Sequence, residues 1–162
     1  MTGAAEAVEA LRAAGATVAT AESLTGGLVC ATLVSVPGAS AVVRGGVVAY
    51  APEIKTTMLG VDADLIDERG TVDAEVAAAM ARGACARVGS TYGLATTGVA
   101  GPEASEGKPP GTVHIAVAGP HGVETRLLAL DGDRETIRSG TVAALLSLLV
   151  ATLGEESRIV RG

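Results

Sequence analysis

Residues 20–27 read TAESLTGG and join an apolar strand to the start of an apolar helix. The strand is predicted at residues 17–21, and Thr25-Gly26-Gly27 opens a helix that we expect to end near Val36. The first turn of a helix presents unpaired N–H groups and partial positive charge, and two glycines let a ligand approach the backbone closely. This junction is therefore a candidate site for a phosphate or a developing oxyanion.

Strands and helices alternate on both sides of the junction. Helices are predicted at about residues 4–14, 25–36, 52–60, 73–88 and 134–153, and strands at 17–21, 42–50, 92–97, 113–118 and 123–130. The last two strands read as a hairpin, which makes the sheet mixed. The pattern predicts an α/β fold, a three-layer α/β/α sandwich in which residues 1–162 form a single domain.

The composition narrows the possible partners. Hydrophobic residues make up 48% of the 162 residues, and the chain has no Phe or Trp and only two Tyr. A core of small side chains favours closely packed helices and strands, and it offers no aromatic platform for stacking bases. The net charge of −6 gives no basic face for phosphate backbones, so we expect no nucleic-acid partner.

The sequence also suggests a compartment. Its first residues are acidic and helix-like, unlike a signal peptide, and the two cysteines form no CxxC pair. The most apolar run, residues 142–153, is shorter than the roughly twenty residues of a membrane span. We therefore expect a cytoplasmic protein with no membrane partner, in which this run is a buried helix.

Ser23 and Lys55 form the first candidate pair for chemistry. Ser23 precedes the helix start and is placed as a nucleophile, although a serine or threonine there can equally cap the helix. Neither His114, within a strand, nor His121, in a turn, is a good base. A lysine can serve only with a lowered pKa, because at about 10.4 roughly one in two thousand is neutral at pH 7.

Two readings of Lys55 stay open from the sequence. Burial or a nearby cation such as Arg44 would lower the pKa of Lys55 and make it a base. A solvated surface lysine, paired with Glu53, is the alternative, and spacing alone favours it.

Further candidates lie in a glycine- and proline-rich loop, residues 98–111, and at the start of the last helix. The loop follows a buried strand, where open α/β sheets place ligands, but it is not a P-loop because Pro109 stands where Ser or Thr would bind magnesium. Arg134 and Arg138 share one helix face and could grip a phosphate, or could belong to an ion-paired surface. No residues have metal-ligand spacing, and the acidic segment 62–68 reads as a solvated turn, so no metal is expected.

Taken in order, these segments resemble one family, the CinA C-terminal domain, also known as nicotinamide-nucleotide amidase. The resemblance covers about residues 5–152 and runs through AES-x-TGG at 21–27, VPG-x-S at 36–40, GGVV-x-Y at 45–50, Lys55 with LGV at 59–61, TG-x-AGP at 97–102, KP-x-GTV at 108–113 and GDR at 132–134.

The resemblance implies hydrolysis of nicotinamide mononucleotide to nicotinic acid mononucleotide and ammonia, in pyridine-nucleotide recycling, without a cofactor. It implies that Ser23 is the nucleophile, Lys55 its activating base and Tyr50 an active-site tyrosine. Family members are commonly oligomeric, so a homo-oligomer is expected. Some carry an N-terminal domain related to molybdopterin-binding proteins, which we do not expect in these 162 residues.

On this basis we expect backbone N–H groups around Thr25 to Gly27 to serve the oxyanion or the phosphate. Substrate contacts are expected from Glu22, Thr25, Gly26, Gly27, Gly46, Thr97, Gly98, Ala100, Gly101, Arg134 and Arg138. The chain departs from the family pattern at Leu24, at Pro52 and in the 103–107 loop, which puts fine specificity in question. The alternatives are an inactive nucleotide-binding sensor or scaffold, and an amidase for another small amide.

Overall fold

A computed structural model describes residues 2–162 as six α-helices, a short 3-10 helix at Ala39–Ala41 and five strands. The helices are α1 (Thr2–Ala13), α2 (Leu28–Val34), α3 (Pro52–Leu59), α4 (Ala63–Arg69), α5 (Ala74–Val88) and α6 (Arg134–Arg161). The strands are β1 (Val18–Glu22), β2 (Val43–Val48), β3 (Tyr92–Gly98), β4 (Thr112–Gly119) and β5 (Gly122–Ala129).

The five strands form one mixed sheet in the order β2-β1-β3-β4-β5. β1 runs parallel to β2 and β3, whereas β4 pairs antiparallel with β3 and β5. The chain leaves β1 towards β2 on one side and later returns to β3 on the other. This reversal is a topological switch point, where the carboxyl ends of strands leave a crevice for a ligand. At that edge Glu22 lies opposite both Val48 and Thr96.

Helices cover both faces of the sheet, which confirms the predicted three-layer α/β/α sandwich. Side chains of β3 alternate between the faces: Leu94 packs in the core beneath α1, α2 and α6, and Ala95 packs beneath α5. The first core is rich in leucine and the second in alanine. The alternation follows from the two-residue period of a strand.

The α5 face is close-packed because its residues are small. A Cβ added to Gly93 of β3 would overlap the backbone oxygen of Ala81 in α5, and one added to Gly83 of α5 would overlap the backbone oxygen of Leu59. These two glycines let β3, α5 and the end of α3 approach one another closely. The chain can therefore fill this core without aromatic side chains.

Two elements differ from the sequence prediction. α6 runs to Arg161 rather than to residue 153, and it is long and apolar enough to cross a membrane by length and composition. Its buried residues, from Ile137 to Leu153, lie in the core of the α/β domain, so it is a core helix. The acidic segment is helix α4 rather than a turn, because the Asp62 side chain caps the helix by accepting from the N–H of Asp64.

Substituting Gly93 tests the close packing of α5. We expect Gly93→Ala to lower the free energy of unfolding by about 1–3 kcal/mol, because a backbone atom cannot move aside as a side chain can. Gly154→Ala is the control: Gly154 is exposed in α6 with no atom near its added Cβ, so the substitution should stabilise the protein by up to about 1 kcal/mol. Equal stability of both variants in urea denaturation would contradict this packing.

Candidate active site

Ser23 and Lys55 meet at the carboxyl edge of the sheet. The Lys55 Nζ donates to Ser23 Oγ at 3.0 Å, to the Ala49 carbonyl oxygen at 2.7 Å and to that of Tyr50 at 3.3 Å. Lys55 is only 1% exposed and Ser23 is 8% exposed. The reading of Lys55 as a solvated surface lysine is therefore wrong.

Local sequence explains how a lysine comes to be buried here. Pro52 lies in the first turn of α3, immediately after the chain leaves β2, so α3 starts beside the end of β1. Gly60 ends α3 in a left-handed conformation, and the Val61 N–H returns to the Lys55 carbonyl oxygen. The short helix thus directs the Lys55 side chain inward towards Ser23.

Burial lowers the pKa of Lys55 from 10.5 to about 8, because the charged form loses its hydration. Glu106 and Glu53 oppose this shift by favouring the ammonium form. Desolvation, rather than the cation Arg44, is the dominant cause. At pH 7 about one Lys55 in ten is neutral, compared with roughly one in two thousand for an ordinary lysine.

The hydrogen bonds of Lys55 suit proton transfer with Ser23. A neutral amine has two N–H donors and one lone pair. The Ala49 and Tyr50 carbonyl oxygens accept both donors, which leaves the lone pair for the Ser23 hydroxyl. In the ammonium form the third proton points at Ser23 Oγ instead. The arrangement can therefore take a proton from the serine and return it to a group bound beside it.

Thr96 holds the backbone of Ser23 and was not among the predicted site residues. The Ser23 N–H donates to the Thr96 carbonyl oxygen at 3.1 Å and to its hydroxyl at 3.2 Å. The Thr96 and Thr25 hydroxyls share a hydrogen bond of 2.8 Å, and both side chains are fully buried. The Thr25 hydroxyl is thus engaged within the protein. Thr96 lies beside Ser23 because β1 and β3 pair in parallel, and a prediction of this pairing is the signal that could have identified Thr96.

The start of α2 differs from the expectation. Glu22 is 1% exposed, and its carboxylate accepts from the N–H groups of Val29 at 2.7 Å and Cys30 at 3.1 Å. The chain's own carboxylate therefore occupies the helix terminus, where a negative charge is favourable. This contradicts our expectation that Glu22 contacts the substrate, and it occupies the Val29 and Cys30 amides with a carboxylate of the protein itself.

Backbone N–H groups without a partner in the described part of the chain lie in the turn between Ser23 and α2 rather than in the first turn of α2. α2 begins at Leu28 and Gly27 is its N-cap, with no side-chain cap, so Ser23 and Thr25 are not caps. The Gly26 N–H bonds to the Ser23 carbonyl oxygen, and Gly26 itself is exposed. The N–H groups of Leu24, Thr25 and Gly27 donate to no acceptor among residues 2–162.

Ser23 opens into a cavity of about 450 Å³ at this edge. The structure brings predicted site residues together here, since the lining includes Ser23, Tyr50, Gly98, Ala100, Gly101 and Arg134. Leu24, Thr71, Val72, Val99, Pro102, Glu103 and Ser105 complete the lining. Tyr50 is 60% exposed at the cavity mouth, and its hydroxyl accepts from Arg134 Nη2 at 3.1 Å.

The two arginines of α6 have different surroundings. Arg134 Nη1 donates to the Gly101 carbonyl oxygen at 2.7 Å, so the Arg134 guanidinium joins the loop, Tyr50 and the cavity. Arg138 donates instead to the carbonyl oxygens of Leu24 and Thr25, both at 3.0 Å. It fixes the turn after Ser23 and does not line the cavity, which contradicts our expectation that it grips the substrate.

Five further predicted contacts do not line the cavity: Thr25, Gly26 and Gly27 of the turn after Ser23, and Gly46 and Thr97. Gly46 pairs with Thr20 within the strands, and a Cβ there would overlap the Thr20 hydroxyl, so Gly46 serves close packing of β2 on β1. The Thr97 hydroxyl donates to the Thr71 carbonyl oxygen at 2.7 Å and is 1% exposed. Gly46 and Thr97 were predicted as ligand contacts because the sequence alone does not show which way these residues face.

Across residues 2–162, no group of three or more His, Cys, Asp or Glu side chains is placed to hold a metal ion. The arrangement of Ser23 and Lys55 needs none for the proton transfer described above. The fold and this site define an α/β protein with a buried serine–lysine pair at the switch point of its sheet.

Known proteins share the same sequence pattern. The model of the CinA C-terminal domain matches residues 2–153. A CinA-like protein from Frankia casuarinae is 55% identical over 134 residues, which are 83% of this chain and 31% of that protein. A CinA-like protein from Anaeromyxobacter dehalogenans is 48% identical over 143 residues, which are 88% of this chain and 35% of that protein. The chain thus spans about a third of the length of these curated relatives.

Solved structures share the fold. Competence/damage inducible protein CihA from Agrobacterium tumefaciens is 37% identical with a TM-score of 0.89, and 94% of each chain is covered. Competence damage-inducible protein A from Klebsiella pneumoniae is 34% identical with a TM-score of 0.92, covering 94% of this chain and 96% of that one. The chain belongs to the CinA C-terminal domain family.

The pKa of Lys55 can be measured directly because the chain has only two lysines, Lys55 and Lys108. We expect the ¹³Cε resonance of Lys55 to titrate with a midpoint of about 8, owing to burial. A Lys108→Arg variant assigns the two signals. A midpoint for Lys55 at the ordinary value near 10.4 would show that the side chain is hydrated in solution.

Proposed function

We propose that this chain is an amidohydrolase that converts nicotinamide mononucleotide to nicotinic acid mononucleotide and ammonia. The observation that carries the proposal is the buried hydrogen bond of 3.0 Å between Lys55 Nζ and Ser23 Oγ. Membership of the CinA C-terminal domain family is consistent with a hydrolase, and the resemblance of the motifs to nicotinamide-nucleotide amidases supports the substrate.

The proposed reaction begins with acylation of the serine. Neutral Lys55 accepts the Ser23 proton as Oγ attacks the carboxamide carbon, and the carbonyl oxygen becomes an oxyanion. Its proposed donor is the Leu24 N–H, which has no acceptor among residues 2–162 and belongs to a residue that lines the cavity; the N–H groups of Thr25 and Gly27 follow it in the same turn. Lys55, now an ammonium, gives its proton to the amide nitrogen, so the C–N bond breaks and ammonia leaves. The product of this step is a nicotinoyl ester on Ser23.

Hydrolysis of the ester completes the cycle. Lys55 is again neutral and accepts a proton from water, which attacks the ester carbon. The C–O bond to Ser23 then breaks, and the proton on Lys55 returns to Oγ. The acid product leaves as a carboxylate with release of one proton to solvent. The Ala49 and Tyr50 carbonyl oxygens hold the lysine amine in place throughout.

The phosphate end of the substrate is assigned to Arg134. Arg134 is the one cationic side chain in the cavity lining, and it also contacts Tyr50. A guanidinium pairs well with a phosphate through charge-assisted hydrogen bonds. Gly98 and Gly101 also line the cavity, and their lack of a side chain leaves room for the ribose. The inactive sensor and the amidase for another amide are the outcomes that the assays below would reveal.

We also propose a cytoplasmic location and a homo-oligomeric state. The proposed substrate is an intracellular nucleotide, and α6 is a core helix of the α/β domain. The oligomer is supported by the family resemblance and by exposed apolar side chains near the edge strand β2, where Val48 and Met58 are each 50% exposed. No nucleic-acid or membrane partner is part of the proposal.

Ammonia release from a panel of amides tests the reaction. We expect turnover of nicotinamide mononucleotide, and a loss of about a thousand-fold or more in Ser23→Ala and in Lys55→Ala, with nucleotide binding retained. Arg44→Ala is the matched control, since Arg44 is an exposed cation of β2 outside the cavity. Nucleotide binding without ammonia release would indicate a sensor, and release from a different amide would change the substrate.

Arg134→Ala tests the phosphate assignment. We expect it to weaken binding of nicotinamide mononucleotide by roughly ten- to a hundred-fold, or about 1.5–3 kcal/mol, and to affect the phosphate-free riboside much less. Arg138→Ala should instead reduce turnover of both ligands alike, because Arg138 holds the turn after Ser23. Equal weakening of both ligands in Arg134→Ala would make Arg134 structural.

A further inference from the structure

Glu106 ties together two segments that are far apart in sequence. Its carboxylate accepts from the Thr71 N–H at 2.7 Å, from the Thr71 hydroxyl at 2.9 Å and from the Val72 N–H at 2.9 Å. These three donors lie in the turn between α4 and α5. Hydrogen bonds to a charged group are stronger than neutral ones, so this contact is a firm anchor for an exposed residue.

The backbone on both sides is shaped for this contact. Glu106 has a φ of 53°, and it is the only residue other than glycine with positive φ among residues 2–162. Gly70 has a φ of 78°, and a Cβ there would lie 2.9 Å from Glu106 Oε2. A side chain at position 70 would thus displace the carboxylate. Left-handed backbone at a residue other than glycine costs free energy and persists where surrounding contacts hold it.

Two further hydrogen bonds hold the 71–72 turn, one from the Glu106 segment and one from the end of β3. The Lys108 Nζ donates to the Val72 carbonyl oxygen, and the Thr97 hydroxyl donates to that of Thr71. We call residues 103–108 the strap. Thr71 and Val72 form one part of the lining of the Ser23 cavity, which we call a wall, and residues 98–103 with Ser105 form another. The strap therefore holds two walls of the cavity in a fixed relation.

The negative charge of Glu106 also affects the pKa of Lys55. It is the larger of the two carboxylate effects that keep the pKa of Lys55 from falling further, the other being Glu53 on α3. The other groups in contact with the Lys55 amine are uncharged: the Ser23 hydroxyl and the Ala49 and Tyr50 carbonyl oxygens. Removal of either carboxylate should therefore lower the pKa of Lys55.

We propose that Glu106 is a positioning residue, which fixes the Thr71–Val72 wall of the cavity so that substrate is held against Ser23. It acts through the wall and touches none of the reacting atoms. The inference rests on the proposed amidohydrolase function for its kinetic consequence. Its structural part, the anchoring of the wall by the Glu106 carboxylate, stands independently of the substrate.

Glu106→Gln is the test, because it keeps the size of the side chain and removes its charge. We expect faster hydrogen exchange at the Thr71 and Val72 amides, and a rise of roughly ten-fold in KM for nicotinamide mononucleotide with a smaller change in kcat. The pKa of Lys55 should fall, which a purely mechanical role would not cause. A lower Lys55 pKa increases the neutral fraction of Lys55 at pH 7, so kcat at this pH should not fall with the rise in KM.

Glu53→Gln is the matched control. It removes the other carboxylate acting on Lys55, so it should lower the same pKa, but Glu53 makes no hydrogen bond to the 71–72 turn. Lys108→Met weakens the strap at its second anchor and should raise KM, while leaving the carboxylates around Lys55 intact. The three variants separate the effect on the wall from the effect on charge.

Unchanged exchange at Thr71 and Val72 in Glu106→Gln would overturn the anchoring role. Faster exchange with an unchanged KM would overturn the positioning role. If the wild type releases ammonia from no amide, the proposed function fails. The exchange rates at Thr71 and Val72 then still decide whether Glu106 holds the wall.

Discussion

The burial of one amine beside one hydroxyl constrains the whole site. The Lys55 pKa, lowered from 10.5 to about 8, corresponds to about 3 kcal/mol against the charged form. Hydrogen bonds to two backbone carbonyl oxygens and to Ser23 compensate the amine for its lost water. The same carbonyl oxygens direct its lone pair at Ser23 when the amine is neutral. A lysine on the surface, or without these acceptors, would not combine the lowered pKa with this orientation.

The sheet topology makes that burial possible. β1 lies between β2 and β3 with all three parallel, so Ser23 and Tyr50, which follow β1 and β2, lie at the same edge as Gly98, the last residue of β3. Small residues on the α5 face let the helices pack closely there, and only three residues separate β2 from α3. Glu22, Thr96 and Arg138 then fix the backbone around Ser23 from three sides. Ser23 directly follows β1 and Lys55 lies within α3, so regular elements, which are more rigid than loops, hold both side chains.

The sequence predicted the layers of the fold better than the roles of single residues. Alternating periodicity was sufficient for the mixed three-layer sandwich, and the family motifs drew attention to Ser23 and Lys55. Spacing alone favoured a surface lysine, because burial depends on how α3 packs on β1. Thr96 and Glu106 were missed, since their partners lie 73 and 35 residues away.

Some predicted contacts had other roles for related reasons. Arg134 and Arg138 share a helix face but have different partners. Arg134 bonds to the Gly101 carbonyl oxygen at the cavity, whereas Arg138 bonds to the carbonyl oxygens of Leu24 and Thr25. Glu22 looked like a substrate contact because it adjoins Ser23. In a strand, however, successive side chains point to opposite faces, and the Glu22 carboxylate points to the amides that open α2.

The pH dependence of kcat/KM for nicotinamide mononucleotide tests the central claim most directly. As the proposed base, Lys55 must be neutral in the free protein, so the rate should rise with pH and level off above a midpoint of about 8, the value to which burial lowers the Lys55 pKa. The midpoint should coincide with the Lys55 titration measured by NMR. A profile that is flat or falls between about pH 7 and about pH 10 would contradict Lys55 as the base.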